Sequence, residues 1–229
     1  MPIRKPPTGR IQRYCKYLAN GLLLQKILQL LKSAGIVIEP YYFYQERLPL
    51  PLEIPDGRHF AGYEFLEVGV EHTDELAGLD PNTDTRKEIR EEFSRGRRCF
   101  ALRHGGKIVA ASWCDTLEIH FTPCARPLAG HEAYLYHTGT MYSYRGHDVA
   151  PYLRSKIYDL LMSTGRDVLY SYTDYFNHPA VRFKEKIGAR ILFVGLYVKI
   201  FGLKGKNWVL SRKNSVSRPG KAAPEQSHS

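Results

Sequence analysis

The stretch Thr140–Leu153, TMYSYRGHDVAPYL, decides the fold. A strand-like run, Ala133–Met141, ends there, and a tight turn with Arg145 and Gly146 leads into a helix with a periodic apolar stripe, Ala150–Ser163. The first backbone N–H groups of a helix have no intrahelical partners, and the helix dipole adds positive potential. Such a turn suits a phosphate, and Gly146 lets the backbone approach it closely. A simple connection between two elements has the same pattern.

The segments around this turn alternate between strands and helices. The sequence predicts six strands, at Tyr63–Val70, Cys99–Arg103, Lys107–Cys114, Ala133–Met141, Asp167–Tyr175 and Ala189–Phe201, and four helices, at Asp74–Leu79, Thr85–Ser94, Ala150–Ser163 and His178–Ile187. A strand followed by a helix and another strand implies a parallel pair, here beside an antiparallel hairpin. We therefore expect an α/β (α+β) domain with a mixed central sheet.

Two segments resemble signatures of the GNAT (N-acetyltransferase) superfamily. Arg145–Ala150, RGHDVA, resembles the Q/R-x-x-G-x-G/A signature, and Asn177–Ala189, NHPAVRFKEKIGA, looks like the N-x-x-A-x-x-x-Y-x-K-x-G-F segment. The resemblance covers roughly residues 60–202. It implies a GNAT-type sheet, flanked by helices, whose fourth and fifth strands splay apart. It also implies an acyl-CoA-dependent N-acyltransferase.

The resemblance implies that acetyl-CoA or another acyl-CoA is the co-substrate and that an amine attacks its thioester directly. Backbone amides at the end of the fourth strand would contact the pantetheine arm and the carbonyl, and the turn would hold the pyrophosphate. The candidate cofactor-binding residues are Thr140, Met141, Tyr142, Arg145, Gly146, His147, Asp148, Val149, Ala150 and Asn177. The amine acceptor and the length of the acyl group stay open.

Two positions depart from the signatures. Asp148 replaces the central glycine of the turn, where its carboxylate would either cap the helix that begins at Val149 or point away from the phosphates. Lys184 replaces a tyrosine that protonates the leaving thiolate; it is either an alternative acid or a solvated helix residue. If these departures abolish transfer, the chain would be a catalytically impaired module that binds CoA, acyl-CoA or a partner.

Three residues are candidates for accepting the proton of the attacking amine: Glu118, Glu132 and His137. His137 lies in the middle of the predicted fourth strand, and an imidazole with a pKa near 6.5 suits proton transfer at neutral pH. The alternative is a histidine packed under a helix. Glu118, at the end of the third strand, would act through a water, or would be an exposed carboxylate. The scattered histidines predict no metal site.

The net charge of +10 is concentrated at the two ends of the chain. Residues 1–35 carry seven basic and no acidic residues, and residues 203–229 carry a charge of +5, which leaves −2 for residues 36–202. We therefore expect no nucleic-acid binding by the core domain. The sequence predicts an N-terminal helix and connector over 1–56, an acyltransferase domain over 57–204 and a basic flexible tail over 205–229.

Residues 8–34 predict an amphipathic helix that Gly35 ends. Its apolar stripe would dock on the protein itself or on a second copy as a homodimer, or it would contact an anionic membrane peripherally. Glu39–Pro55, with four prolines and the run YYFY, predicts an extended connector. The four cysteines lack metal-site spacing, and the N-terminus lacks signal-peptide features. We expect a cytoplasmic protein, with the membrane-peripheral alternative resting on this helix.

Overall fold

An eight-stranded sheet runs through the residues that this computed structural model describes, 22–46, 57–79, 86–121 and 124–212. The strands are β1 (Ile36–Glu46), β2 (Tyr63–Val68), β3 (Arg98–His104), β4 (Lys107–Asp115), β5 (Glu118–Ile119), β6 (Arg126–Pro127), β7 (Glu132–Thr140), β8 (Val168–Asp174), β9 (Arg190–Ile200) and β10 (Lys206–Arg212). Strands β5 and β6 form a separate pair. The helices are α1 (Leu22–Ser33), α2 (Thr73–Ala77), α3 (Arg86–Ser94), α4 (Val149–Ser163) and α5 (His178–Lys186).

The order of strands across the main sheet is β10-β9-β1-β8-β7-β4-β3-β2. Strands β7 and β8 are parallel, and the other neighbours are antiparallel. Helix α4 connects the two parallel strands and buries Leu153, Ile157 and Leu161 on one face of the sheet. Helices α2 and α3 bury Leu76 and Ile89 in the core on the opposite face of the sheet. The predicted mixed sheet flanked by helices is confirmed.

The parallel pair at the centre of the sheet is short. Strands β7 and β8 pair only from Glu132↔Val168 to Tyr134↔Tyr170. Beyond Tyr134, β7 stays paired with β4, whereas β8 stays paired with β1. The predicted splay between the fourth and fifth strands of the domain is therefore present, and it leaves one backbone edge of each strand unpaired.

Strand β1 corrects the prediction of an extended connector over Glu39–Pro55. Its residues pair with β8 on one side and with β9 on the other, so they lie inside the sheet. Pro40 has no N–H to donate, but it precedes Tyr41, where the pairing with β8 begins, and its carbonyl accepts a hydrogen bond from Tyr175 N at 3.0 Å. The aromatic residues that follow have high strand propensity. Residues 47–56 lie outside the described part of the chain.

Strand β10 likewise corrects the start of the predicted tail at residue 205. Lys206–Arg212 pair with β9 and form an edge of the main sheet. The remainder of the predicted tail, residues 213–229, lies outside the described residues.

Helix α1 is the described part of the helix predicted over residues 8–34. Gly35, with φ +82°, follows its last turn, and the amide of Gly35 donates to Lys32 O at 3.0 Å. Four of its apolar side chains, Leu23, Leu24, Ile27 and Leu30, are exposed. None of the helices in the described residues is both long and apolar enough to span a membrane. Peripheral membrane contact and homodimerisation through residues 8–34 stay predictions.

Candidate functional site

A cleft of about 810 Å³ opens where β7 and β8 separate. Its walls are the second half of β7, the turn after β7, the first residues of α4, the end of β8 and helix α5. Of the predicted site residues, the structure brings Thr140, Arg145, Gly146, Asp148, Val149, Ala150, Asn177, His137 and Lys184 to its walls.

The turn between β7 and α4 presents backbone amides to one end of the cleft. The helical ladder of α4 leaves the amides of Val149 and Ala150 without intrahelical partners, because they lie in the first turn. Gly146 has φ +82°, and a Cβ added to it would meet no atom within 4 Å, so its surface is open. The Arg145 side chain donates through Nε to Thr140 O at 3.0 Å, beside this opening. The arrangement suits a bound anion.

Asp148 does not cap helix α4 with its side chain, so the capping alternative is wrong. Its backbone is left-handed, with φ +56°, and its carboxylate makes no capping hydrogen bond. The carboxylate instead forms an ion pair with Lys186 of α5. Aspartate tolerates the left-handed conformation better than most residues, so it can stand where the signature has glycine. Lys186 balances the negative charge of the Asp148 carboxylate, and this carboxylate does not accept hydrogen bonds from the first amides of α4.

The walls of the cleft carry more positive than negative charge. Five basic side chains line it, whereas the lining carboxylates are Asp148 and Asp174; the basic ones are Arg145, Arg154, Arg182, Lys184 and Lys186. Burial raises the pKa of Asp174 above its ordinary value. A cleft of this sign favours a polyanionic ligand.

Lys184 is buried, so the alternative of a solvated helix residue is wrong. Its ammonium group donates to Ser171 Oγ at 2.7 Å and forms an ion pair with Glu46. Burial lowers the pKa of Lys184 to about 8, against the opposing effect of Glu46. A group with that pKa can donate a proton near neutral pH to a thiolate, whose conjugate acid has an ordinary pKa near 8.5.

Glu46, the last residue of β1, and Arg154 of α4 belong to this site and were not predicted from the sequence. The carboxylate of Glu46 is fully buried and accepts hydrogen bonds from Lys184 and from the Tyr158 hydroxyl. Arg154 Nε lies 3.6 Å from Glu46 Oε2. Burial by itself would raise the pKa of Glu46, but Arg154 and Lys184 lower it to about 2. The strand-forming run before Glu46 was the signal that could have placed it in the sheet.

His137 lies at an irregularity of β7. The register between β4 and β7 shifts between Ala111 and Trp113, and His137 has the uncommon φ of +43°. The bulge places an exposed imidazole at the cleft wall. Its neighbour Thr138 lies 2.9 Å from Ser112 Oγ and accepts a hydrogen bond from Arg154 Nη2 at 2.8 Å. The role of His137 as a base stays a prediction.

The two glutamates considered as bases do not line the cleft. Glu118 lies in β5, with an oxygen 3.6 Å from Arg97 Nη2. Glu132 forms a bidentate ion pair with Arg126, which lowers the pKa of Glu132 to about 2, and it accepts a hydrogen bond from the Tyr170 hydroxyl at 3.0 Å. Neither carboxylate is placed to take a proton from an amine in this cleft.

Three of the predicted cofactor-binding residues also lie away from the cleft walls: Met141, Tyr142 and His147. The amide of Met141 donates to Val109 O at 2.8 Å, so it is already used within the sheet. Tyr142 is 84% exposed. Asn177 does line the cleft, but its side-chain oxygen accepts from the Ala180 amide at 3.2 Å and caps helix α5. The expectation that Met141 binds pantetheine through its amide is therefore corrected.

Solved structures described as GNAT-family acetyltransferases have a similar fold. A protein from Novosphingobium aromaticivorans matches with a TM-score of 0.50 and 20% identity, over 72% of this chain and 66% of that one, just under two thirds of its length. An acetyltransferase from Colwellia psychrerythraea matches with a TM-score of 0.52 and 15% identity, over 86% of this chain and 75% of that one. No protein-family model and no curated protein matches the sequence. The chain has the fold of the GNAT acetyltransferases.

Proposed function

We propose that this chain is an acyl-CoA-dependent N-acyltransferase. It would move an acetyl or another short acyl group from CoA to an amine by direct attack within a ternary complex. The observation that carries the proposal is the cleft between the diverging strands β7 and β8, which ends at a turn whose amides Asp148 leaves open by pairing with Lys186. One continuous cleft thus offers a phosphate-binding end and an interior that can hold a thioester.

Coenzyme A would lie along β7. Its pyrophosphate would bind the amides around Gly146, Val149 and Ala150, with Arg145 and Lys186 beside them. Beyond Tyr134, the edge of β7 that faces β8 has no strand partner. Backbone N–H and C=O groups on such an edge require hydrogen bonds, and the amides of a pantetheine arm can supply them. The thioester would then lie near the bulge at His137.

The amine nitrogen would attack the thioester carbonyl, forming the new C–N bond as the C–S bond breaks. His137 is the candidate to take the proton from the attacking amine. Lys184 is the candidate to give a proton to the departing sulfur of CoA, and its pKa of about 8 suits that transfer. The net reaction converts an acyl-CoA and an amine into an amide and CoA.

The inner wall of the cleft limits the acyl group. Arg154 and Lys184 line it, and Glu46 lies directly behind them. A long aliphatic chain would have to be placed against buried charges, which is unfavourable because those charges would lose polar partners. The structure therefore supports an acetyl or another short or polar acyl group.

Gly146→Glu tests the phosphate site, because it introduces charge and bulk where phosphate would bind. Gly165→Glu is the matched control: Gly165 also has a positive φ, of +76°, and an open surface, but it follows the far end of α4. We expect Gly146→Glu to abolish acetyl-CoA binding in isothermal titration and CoA release over an amine panel, whereas Gly165→Glu keeps both. Unchanged affinity in Gly146→Glu would show that the turn is not the site.

A catalytically impaired CoA-binding module is the second candidate, because Lys184 is held by Glu46 and Ser171. The same assays separate the two candidates. Tight binding of acetyl-CoA without CoA release for any amine in the panel would favour the binding module.

A further inference from the structure

Arg154 is a charged side chain held inside the protein at the inner wall of the cleft. It lies in the second turn of α4 and is 1% exposed. Its Nη2 donates to Thr138 Oγ1 at the bulge of β7, and its guanidinium carbon lies 5.5 Å from the centroid of the Phe183 ring. These contacts fix the plane and the position of the guanidinium.

Two of the three guanidinium nitrogens of Arg154 lack acceptors. Nε and Nη1 are buried and have no hydrogen-bond partner among the described residues. The nearest carboxylate is that of Glu46, whose Oε2 is 3.6 Å from Nε, too far for a hydrogen bond. Arginine always carries its charge and has five N–H donors, so this side chain has unused donors next to the cleft.

The charges around Arg154 do not balance. Glu46 is the only carboxylate of this buried cluster in the described part of the chain, and it is already paired with Lys184. The cluster of Glu46, Lys184 and Arg154 therefore carries one uncompensated positive charge when all three groups are ionised. Two buried cations that share one carboxylate are incompletely compensated, so an anion entering the cleft would be favoured here.

The position and the shape of Arg154 indicate which anion fits. Arg154 contacts β7 at Thr138, whereas Arg145 contacts Thr140 and Lys186 contacts Asp148 at the phosphate turn. The guanidinium of Arg154 is therefore separate from the cationic groups of Arg145 and Lys186 at the turn. A guanidinium with unused N–H donors suits the anionic oxygen of a carboxylate.

We propose that the inner wall of the cleft binds an ionised carboxyl group of a substrate, with Arg154 as its partner. The carboxylate could belong to the acyl group of a dicarboxylic acyl-CoA or to an amine acceptor of the amino-acid type. The chemistry is the same in both cases. This inference rests on the proposed function and adds a substrate class to it.

The first experiment uses pairs of CoA esters matched in length and titrated into the full chain: malonyl-CoA against propionyl-CoA, and succinyl-CoA against butyryl-CoA. We expect the carboxylated ester to bind about tenfold to hundredfold more tightly, as for a hydrogen bond to a charged group. Arg154→Met should remove this difference, and Arg154→Lys should keep part of it. Thermal melting of each variant shows whether it is folded.

A second arm assigns the source of the carboxylate. With acetyl-CoA as donor, CoA release is compared for amino acids and for the amines that lack their carboxyl group. A preference for the amino acids that Arg154→Met removes places the carboxylate on the acceptor and supports the proposal. The proposal is overturned if neither arm shows a preference, or if the preference persists in Arg154→Met.

A third arm does not depend on CoA. Free malonate and succinate should raise the melting temperature of the wild-type chain but not that of Arg154→Met. If the folded chain binds no CoA ester and yet responds to these dicarboxylates through Arg154, the proposed acyl transfer fails and the carboxylate site stands. If CoA is released to an amine and no carboxylate is preferred in either arm, the acyl transfer stands and the carboxylate site fails.

Discussion

Replacing Glu46 with glutamine should destabilise the protein far more than a surface charge change. The carboxylate of Glu46 has no exposure to solvent, and its basic neighbours Lys184 and Arg154 have side chains that are 5% and 1% exposed. Glutamine keeps the size of the side chain and an acceptor oxygen. It removes the negative charge that compensates two buried cations.

The expected loss is about 3–5 kcal/mol in the free energy of unfolding at neutral pH, the usual cost of breaking a buried ion pair by removing one partner. Glu39→Gln is the matched control. Glu39 lies on the same strand and forms an ion pair with Lys32 at 2.8 Å, but both side chains are well exposed. That pair should be worth less than about 1 kcal/mol. Urea unfolding monitored by circular dichroism measures both variants.

The difference in the free energy of unfolding between the wild type and Glu46→Gln should also depend on pH. The pKa of Glu46 is lowered from 4.5 to about 2 in the folded chain. Its ionised form therefore stabilises the fold above pH 4.5, and this contribution is lost as the pH falls towards 2. The difference between the wild type and Glu46→Gln should narrow over that range. A loss below about 1 kcal/mol at neutral pH, or no recovery on adding Lys184→Met to Glu46→Gln, would refute the buried network.

Two other substitutions test the chemistry of the cleft. Because Lys184 has a pKa of about 8, kcat for CoA release should fall as the pH rises through that value. The substitution Lys184→Met should lower kcat about 10²–10⁴-fold and remove this fall of kcat at alkaline pH. A pH profile that is unchanged in Lys184→Met would exclude Lys184 as the acid. Asp148→Gly should tighten acetyl-CoA binding in isothermal titration, because glycine keeps the left-handed backbone and removes a carboxylate beside the phosphates. Lys186→Met should weaken acetyl-CoA binding, because it leaves the carboxylate of Asp148 unpaired. Weaker binding by Asp148→Gly would contradict the proposal that the turn binds the phosphates.

Local sequence was sufficient to predict most elements of the domain. Turn residues and apolar periodicity placed α4, β8, α5 and the β3–β4 hairpin within about two residues of their bounds, because these signals act over a few neighbouring positions. Strand β1 was not recognised. Pro40 and the prolines after it indicated a connector, whereas pairing with β8 and β9 is decided by distant parts of the chain.

The sequence by itself determined the turn at Arg145–Ala150, because a strand end, a glycine and a helix start within a few residues are enough to present amides outward. Only the tertiary structure decided the chemistry behind it. The pairing of Asp148 with Lys186, and the meeting of Glu46, Arg154 and Lys184, join residues far apart in the chain. The burial of these side chains and the electrostatic interactions between them arise only once the sheet and its helices have packed. These two effects determine the pKa values of the buried groups and the net positive charge of the side chains that line the cleft.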